Sequence, residues 1–357
     1  MVAELSLMKG NEAIAEAAIR AGCRFYAGYP ITPQNELCEY MARRMPEVGG
    51  TFIQSESEVA AINMVYGAGA AGARAMTSSS SPGISLKQEG ISYLCGSEVP
   101  GVIVNMVRGG PGLGSIQPAQ SDYFQATRGG GHGDYRTIVL GPGSIQEAVE
   151  LTMLAFELAD RYRNPVVILG DGMMGQMMEP VQFPDGPPPQ PPAKPWATTG
   201  TRGRGSPNII NSLYIEAERC ERHNQRLQEK YRRMEENEPR YELVNPEAEY
   251  FLVAYGTSSR ICRAVVGRAS RDGLRVGMIR PITLWPFPRA AFDRVVERAR
   301  AFLTVEMSAG QMVEDVRLAV EGRRPVHFYG RTGGVVPTPQ EVLARLKLVV
   351  EGRGGES

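Results

Sequence analysis

Two stretches of the chain carry residue types that could do chemistry. One is the turn Gly28-Tyr29-Pro30-Ile31-Thr32-Pro33. The other is Glu58 at the head of Val59-Ala60-Ala61-Ile62-Asn63-Met64-Val65-Tyr66-Gly67-Ala68. Pro30 and Pro33 fix φ and interrupt any helix or central ladder, while Gly28 allows close backbone approach. Thr32 is thereby presented at the carboxyl end of a strand, where open α/β sheets hold their ligands. Glu58 admits two readings. It is either a helix-head carboxylate favoured by the dipole by about 0.3–1 kcal/mol, or a buried acid that hydrogen-bonds a heterocycle nitrogen. The Ala and Gly that follow it let another surface come close. Arg108 closes the apolar run 102–107. A guanidinium there suits either bidentate recognition of a small carboxylate or an ion pair with Asp122 or Glu98. Together these positions read as a cofactor corner.

Other motifs fail their context tests. Gly67-Ala68-Gly69-Ala70-Ala71-Gly72 fits a loose G-x-G-x-x-G but lies inside a helical stretch, not at a strand-to-helix turn. Gly109-Gly110-Pro111-Gly112-Leu113-Gly114 lacks the Lys-Ser/Thr ending of a P-loop. Both read as close-packing or substrate-loop glycines. Gly170-Asp171-Gly172 opens like a diphosphate–Mg²⁺ motif, yet no Asn follows before Asn208, so Asp171 reads as a strand-end turn. The 5 cysteines are widely spaced without C-x-x-C, and the 3 histidines lie far apart. That spacing offers no metal site and no iron–sulfur cluster within this chain. The cysteines read as reduced, mostly buried thiols.

Elements of the right kind surround the corner. Strands are expected at 25–27, 51–54, 74–78, 101–107, 137–140 and 166–169, with helices between them, including 145–162. Strands alternating with helices imply a parallel sheet covered on both faces. Asn11 is expected to cap the first helix. Then the composition breaks: Gly186-Pro187-Pro188-Pro189-Gln190-Pro191-Pro192 is polyproline II material. The charged stretch 209–236 has Leu213, Cys220, Leu227, Tyr231 and Met234 as sparse apolar points and reads as a solvated helical arm. A second β/α run follows, with strands at 251–255, 276–279, 302–305 and 326–329. The expected division is therefore 1–183, a Pro-rich linker 184–208, an arm 209–245 and a second domain 246–352. Lysine plus arginine equal aspartate plus glutamate at 39 each, so no nucleic-acid footprint is visible. No apolar run of about 18 residues suggests a membrane span, and a cytoplasmic location is expected.

At this point the residues resemble a known family. The Gly28 to Pro33 turn, Glu58-Val59-Ala60-Ala61, the serine turn Ser78-Ser79-Ser80-Ser81-Pro82-Gly83 and Arg108-Gly109-Gly110-Pro111 all look like the α subunit of 2-oxoacid:ferredoxin oxidoreductases. Arg280-Pro281-Ile282-Thr283-Leu284-Trp285-Pro286-Phe287-Pro288 and Val305-Glu306-Met307-Ser308-Ala309-Gly310-Gln311-Met312 agree. Ser115-Ile116-Gln117-Pro118-Ala119-Gln120-Ser121-Asp122-Tyr123 and Gly129-Gly130-Gly131-His132-Gly133-Asp134 are most similar to branched-chain members, which act on 3-methyl-2-oxobutanoate; the 2-oxoglutarate enzymes come next.

The resemblance implies an α/β fold of two doubly wound parallel-sheet domains, a pyrimidine-binding domain of the thiamine enzymes and a transketolase C-terminal-like domain. It implies thiamine diphosphate shared with a β subunit that holds the diphosphate, Mg²⁺ and a [4Fe–4S] cluster. Further partners would be γ and ferredoxin-like δ subunits and ferredoxin, in a dimer of hetero-oligomers, with coenzyme A as co-substrate. By this resemblance Glu58 would bond N1′ of the aminopyrimidine and Thr32 would touch the substrate or the thiazolium. Arg108 would pair with the 2-oxoacid carboxylate, and Tyr29, Pro30, Ile31 and Ser81 would line the cofactor. The implied reaction is coenzyme A-dependent oxidative decarboxylation to acyl-CoA and CO₂ with electrons passed to ferredoxin, or its reverse. A non-redox thiamine enzyme and a catalytically inactive scaffold are the competing classes. Glu58, Thr32 and Arg108 together argue against a scaffold, which needs none of them.

Overall fold

The computed structural model describes residues 5–186, 190–201 and 203–353. Of the proline run, Pro187, Pro188 and Pro189 lie outside the described residues, while Pro191 and Pro192 are exposed and belong to no helix or strand.

Strands and helices alternate through the first half. They run β1 (Ser6–Lys9), α1 (Gly10–Arg20), β2 (Phe25–Gly28), α2 (Asn35–Glu47), β3 (Thr51–Gln54), α3 (Glu58–Ala70), β4 (Ala75–Ser79), α4 (Ser81–Gly96), β5 (Gly101–Val107), α5 (Tyr123–Arg128), β6 (Ile138–Leu140), α6 (Ile145–Tyr162), β7 (Pro165–Asp171), α7 (Gly172–Gln176) and β8 (Met178–Val181). The long α8 (Ala217–Asn237) precedes β9 (Tyr241–Val244), β10 (Tyr250–Val253), α9 (Gly256–Arg271), β11 (Val276–Pro281), β12 (Thr283–Trp285), α10 (Ala290–Asp293), β13 (Ala301–Glu306), α11 (Met312–Val320), β14 (Val326–Gly330) and α12 (Pro339–Val350).

The first sheet has seven strands in the order β12-β6-β7-β5-β4-β2-β3. Its centre, β5 and β7, is buried along its whole length, as parallel strands covered on both faces must be. The order places the ends of β2, β3, β4 and β5 beside one another, and these ends carry the residues singled out above. The second sheet has five strands in the order β14-β13-β10-β11-β9.

The expected sheets are parallel, and the structure corrects this at their edges. β12 lies antiparallel on β6 and β9 lies antiparallel on β11. β12 comes from the second β/α run yet completes the first sheet, so a strand of only three residues stitches the two layers together. β9 falls within the stretch expected as an arm. β1 and β8 form a separate two-stranded antiparallel ribbon, outside the expected strands. Asn11 does not cap the first helix. Lys9 stands there, and the Asn11 side chain instead donates to the Pro33 carbonyl at 2.8 Å and to Glu36 at 2.9 Å, bracing the Thr32 turn.

The charged helix α8 is not a solvated arm. Its stripe of His223, Leu227, Lys230, Tyr231 and Met234 is buried, with Lys230 donating to Glu98 and to the Arg163 carbonyl. Leu213, expected as one of its apolar points, precedes the helix and is exposed. The two sheets are clamped together by Gln120. Its backbone N–H donates to the Met307 carbonyl at 2.8 Å, its Nε2 to the Tyr255 carbonyl at 2.9 Å, and its Oε1 accepts from Ser258 and from Met307 N. Tyr123 adds a hydrogen bond to Asp315 at 2.7 Å. No helix among the described residues is long and apolar enough to cross a membrane.

Candidate active site

Glu58 opens α3 behind Ser57, whose hydroxyl caps the helix by accepting from Ala60 N. The Glu58 side chain points inward and is 6% exposed. Among the described residues no donor hydrogen-bonds its carboxylate. The nearest element is the first turn of α4. A Cβ built on Gly83 would stand 2.6 Å from Glu58 Oε1 and 2.1 Å from Ser79 Oγ, so only glycine lets α4 come this close. The Ser79 and Ser80 hydroxyls are buried without a hydrogen-bond partner, as is the Lys87 ammonium one turn further along α4. A carboxylate, two hydroxyls and an ammonium thus lie buried in one corner with their bonding capacity unmet, an arrangement that costs free energy unless a ligand completes it.

The Thr32 turn is held from several sides. Gln34 Oε1 accepts from Ser78 Oγ at 2.5 Å, and Ser78 in turn lies 2.6 Å from the Tyr26 hydroxyl. These bonds tie the turn to the serine segment that faces Glu58. Gln176 on α7 donates to the Pro33 carbonyl and to Glu36. Thr32 and Tyr29 are exposed, Pro30 likewise, and Ile31 is half-buried. Asn35 Nδ2 reaches Thr32 Oγ1 at 3.4 Å.

Arg108 is buried at the end of β5 and makes neither of the ion pairs considered for it. Asp122 accepts from Asn105, and Glu98 pairs with Lys230. Its Nη1 donates to the Thr32 carbonyl at 3.0 Å and its Nη2 to the Leu113 carbonyl at 2.9 Å, while its Nε has no partner. The guanidinium therefore bridges the Thr32 turn and the glycine loop and retains free N–H donors. Ser81 is engaged with the same strand end, accepting from Arg108 N at 3.0 Å. Its hydroxyl is thus less free than those of Ser79 and Ser80. The glycine loop itself meets the second sheet's side of the molecule: a Cβ on Gly109 would stand 2.8 Å from Gly333.

Thr32, Pro33, Ile116, Pro118, Met173 and Met177 line a cavity of about 570 Å³ beside this turn. Glu36 also borders it. Burial pushes the Glu36 carboxyl up, but hydrogen bonds from its own backbone, Lys9, Gln176 and Asn11 outweigh this and hold it below its ordinary range. Asp171 caps α7 by accepting from Met173 N and Met174 N, the turn role expected of it. Among the described residues no cluster of His, Cys, Asp and Glu could hold a metal ion.

The site thus gathers two groups, Glu58 with the serine turn and Arg108 with the Thr32 turn, joined through Gln34 and Ser78. Sequence reasoning missed Lys87, Gln34 and the unpaired pair Ser79 and Ser80. The signal for Lys87 was present: a lysine in the otherwise apolar and small-residue face of a helix that begins in the serine turn.

Comparison with known proteins shows the family of the chain. A profile of the family described as pyruvate flavodoxin/ferredoxin oxidoreductase, thiamine diphosphate-binding, matches residues 16–242, and one of pyruvate:ferredoxin oxidoreductase core domain II matches residues 248–342. The chain is 51% identical over 342 residues to ketoisovalerate oxidoreductase subunit VorB of Methanothermobacter marburgensis, covering 96% of this chain and 97% of that protein. It is 37% identical over 365 residues to 2-oxoglutarate synthase subunit KorA of Methanothermobacter thermautotrophicus, covering 94% and 96%. Among solved structures, 2-oxoglutarate:ferredoxin oxidoreductase from Magnetococcus marinus, with 2-oxoglutarate, coenzyme A and succinyl-CoA bound, superposes with a TM-score of 0.85 at 28% identity. The match covers 97% of this chain and 65% of that one. A split-gene transketolase, in an inactive β4 tetramer, is similar in fold alone, with a TM-score of 0.61 at 14% identity over 96% and 98% of the chains.

Proposed function

The chain belongs to the pyruvate flavodoxin/ferredoxin oxidoreductase family, as a subunit of a thiamine diphosphate-dependent 2-oxoacid:ferredoxin oxidoreductase, and we propose that it supplies the pyrimidine side of the cofactor site and acts on 3-methyl-2-oxobutanoate. The observation that carries the site assignment is Glu58, a buried carboxylate without a donor, set against Gly83 and the unpaired Ser79 hydroxyl. These groups suit an aminopyrimidine, which brings both N–H donors and ring-nitrogen acceptors. When bound, thiamine diphosphate supplies the nucleophilic carbon and the electron sink that decarboxylation of a 2-oxoacid requires. Glu58 holds the proton exchanged at the pyrimidine N1′. Arg108, already fixing the Thr32 turn through two carbonyls, offers its remaining N–H groups to the substrate carboxylate. Thr32, with Tyr29, Pro30 and Ile31, forms the exposed lip over which substrate passes.

The cavity lining supports a branched aliphatic acid. Ile116, Met173 and Met177 give it apolar walls, and ionised Glu36 at its border repels the second carboxylate of 2-oxoglutarate. The 51% identity to a ketoisovalerate oxidoreductase subunit agrees. Ferredoxin reduction needs clusters that belong to partner chains in this reading, together with a β subunit holding the diphosphate, Mg²⁺ and [4Fe–4S]. γ and δ subunits and ferredoxin complete the assembly. The outer face of α3 fits an approaching subunit, with Val59 43% exposed and Gly67 open. Residues 1–183 would form the pyrimidine-binding domain and 246–352 the transketolase C-terminal-like domain. The free thiols agree with a reducing, cytoplasmic setting.

The test is anaerobic. The complex that co-purifies with this chain is given thiamine diphosphate, Mg²⁺ and coenzyme A, and viologen reduction is followed over a panel of 2-oxoacids. Fastest turnover with 3-methyl-2-oxobutanoate is expected. A preference for 2-oxoglutarate would overturn the substrate reading, and full activity in Glu58→Gln would overturn the site.

A further inference from the structure

Lys87 belongs to none of the roles above. Its side chain is wholly buried, and among the described residues its Nζ has no hydrogen-bond partner. A lysine is almost never fully buried unless paired, so an unmet ammonium calls for a reason.

The packing of α4 on α3 fixes its place. Gly83, Lys87 and Gly90 follow one another at helical spacing on the face of α4 that meets α3. At one end a Cβ on Gly83 would stand 2.6 Å from Glu58 Oε1, and at the other a Cβ on Gly90 would stand 2.5 Å from Ile62 Cγ2. Lys87 sits between these two contacts. Helical side chains lean toward the N-terminus of their helix, so its ammonium is carried back over the Gly83 turn toward Glu58.

The other group that faces it is Cys38 on α2. The Cys38 thiol lies 2.9 Å from the Tyr26 hydroxyl, and burial pushes both above their ordinary values, so both stay neutral near pH 7. Glu58 is thus the anion that Lys87 meets among the described residues. Burial pushes the ammonium down to about 8, while Glu58 pulls the other way.

We propose that Lys87 is a positioning residue for Glu58: its buried charge, carried on the face of α4 between Gly83 and Gly90, attracts the Glu58 side chain and aims it into the corner where an aminopyrimidine would meet it. This inference rests on the function proposed above. A carboxylate without donors has no hydrogen bond to fix its direction, and the attraction of a nearby cation does so instead. Lys87 does this without donating a hydrogen bond that would compete with the ligand.

The experiment measures thiamine diphosphate affinity by titration of the assembled complex, in Lys87→Met, Lys87→Gln, Glu58→Gln and the double variant Lys87→Met/Glu58→Gln. Neutralising Lys87 should weaken binding about tenfold near pH 7, a coupling of the usual size for neighbouring residues. In the Glu58→Gln background Lys87→Met should cost no more than about twofold, because the two act as one unit. The thermal midpoint should stay close to native, since the desolvation cost relieved with the ammonium offsets its lost attraction to Glu58. A lysine that only props up the helix would do the reverse, lowering the midpoint and weakening binding equally in both backgrounds, and that result would overturn the proposal. Native affinity in both neutral variants would overturn it too. If neither variant assembles, the infrared difference spectrum of native against Glu58→Gln complex, before cofactor is added, decides the matter. An ionised carboxylate band is expected, and a protonated acid band sinks the idea. Native affinity in Glu58→Gln itself would instead defeat the function on which this inference rests.

Discussion

Glu58 and Glu306 are the same residue type in similar places, each buried where a strand gives way to a helix, one beside each sheet. Their surroundings differ. Glu306 is saturated: Oε1 accepts from Val313 N at 2.9 Å, and Oε2 accepts from Ser308 Oγ, Gln311 N and Met312 N at 2.9–3.1 Å. It takes up the backbone donors at the head of α11 and so fixes the segment that meets Gln120. Glu58 lies beside Gly83 and two unpaired hydroxyls and accepts nothing among the described residues. A satisfied buried acid reports on architecture. An unsatisfied one reports on a ligand, because no donor in the protein fills its hydrogen-bonding capacity.

The sharpest way to break this comparison is to neutralise each acid. Glu58→Gln should lower 2-oxoacid-dependent viologen reduction by about 10²–10⁴-fold, the usual range for an acid–base group, while the thermal midpoint stays close to native. Glu306→Ala should do the opposite. It strands several backbone donors, and urea unfolding should show a loss of about 2–4 kcal/mol. If Glu306→Ala proves as stable as native, its hydrogen bonds do not hold α11 as argued.

Gly83→Ala is a milder probe of the same corner. The new methyl has to displace the Glu58 carboxylate or Ser79, and a misplacement of about 1 Å can cost roughly 10²-fold in turnover. Native turnover in this variant would mean that the corner is looser than its contacts imply.

The smallest effect is in the pH dependence of stability. Lys87 is lowered from 10.5 to about 8 on folding, so between those values the unfolded chain binds the proton that the folded chain releases. Stability should therefore rise as pH goes from about 8 toward 10.5. Lys87→Met should flatten that rise in thermal melts across the range, and an unchanged slope would place the titrating group elsewhere.

Much of this site was legible from the chain. Glu58, the Thr32 turn and Arg108 stand at element ends, and α6 spans the residues expected of it. Other parts were misjudged for one reason: they depend on partners distant in sequence. Asn11 looked like a cap but reaches Pro33 and Glu36. The polar helix α8 looked solvated, yet its stripe is buried because Lys230 finds Glu98 and the Arg163 carbonyl. Arg108 was weighed as an ion-pair or substrate residue, and it is first a brace between two loops.

The amino-acid sequence by itself determined the alternation of strands and helices, the positions where Pro and Gly end them, and the family whose motifs those turns carry. These are properties of local backbone preference and short spacing. Only the tertiary structure decided that β12 crosses over to close the first sheet antiparallel, that Gln120 locks the two sheets together, and that Lys87 comes to lie beside Glu58. Edge pairing and charge burial are settled by which surfaces meet, and no local pattern encodes that.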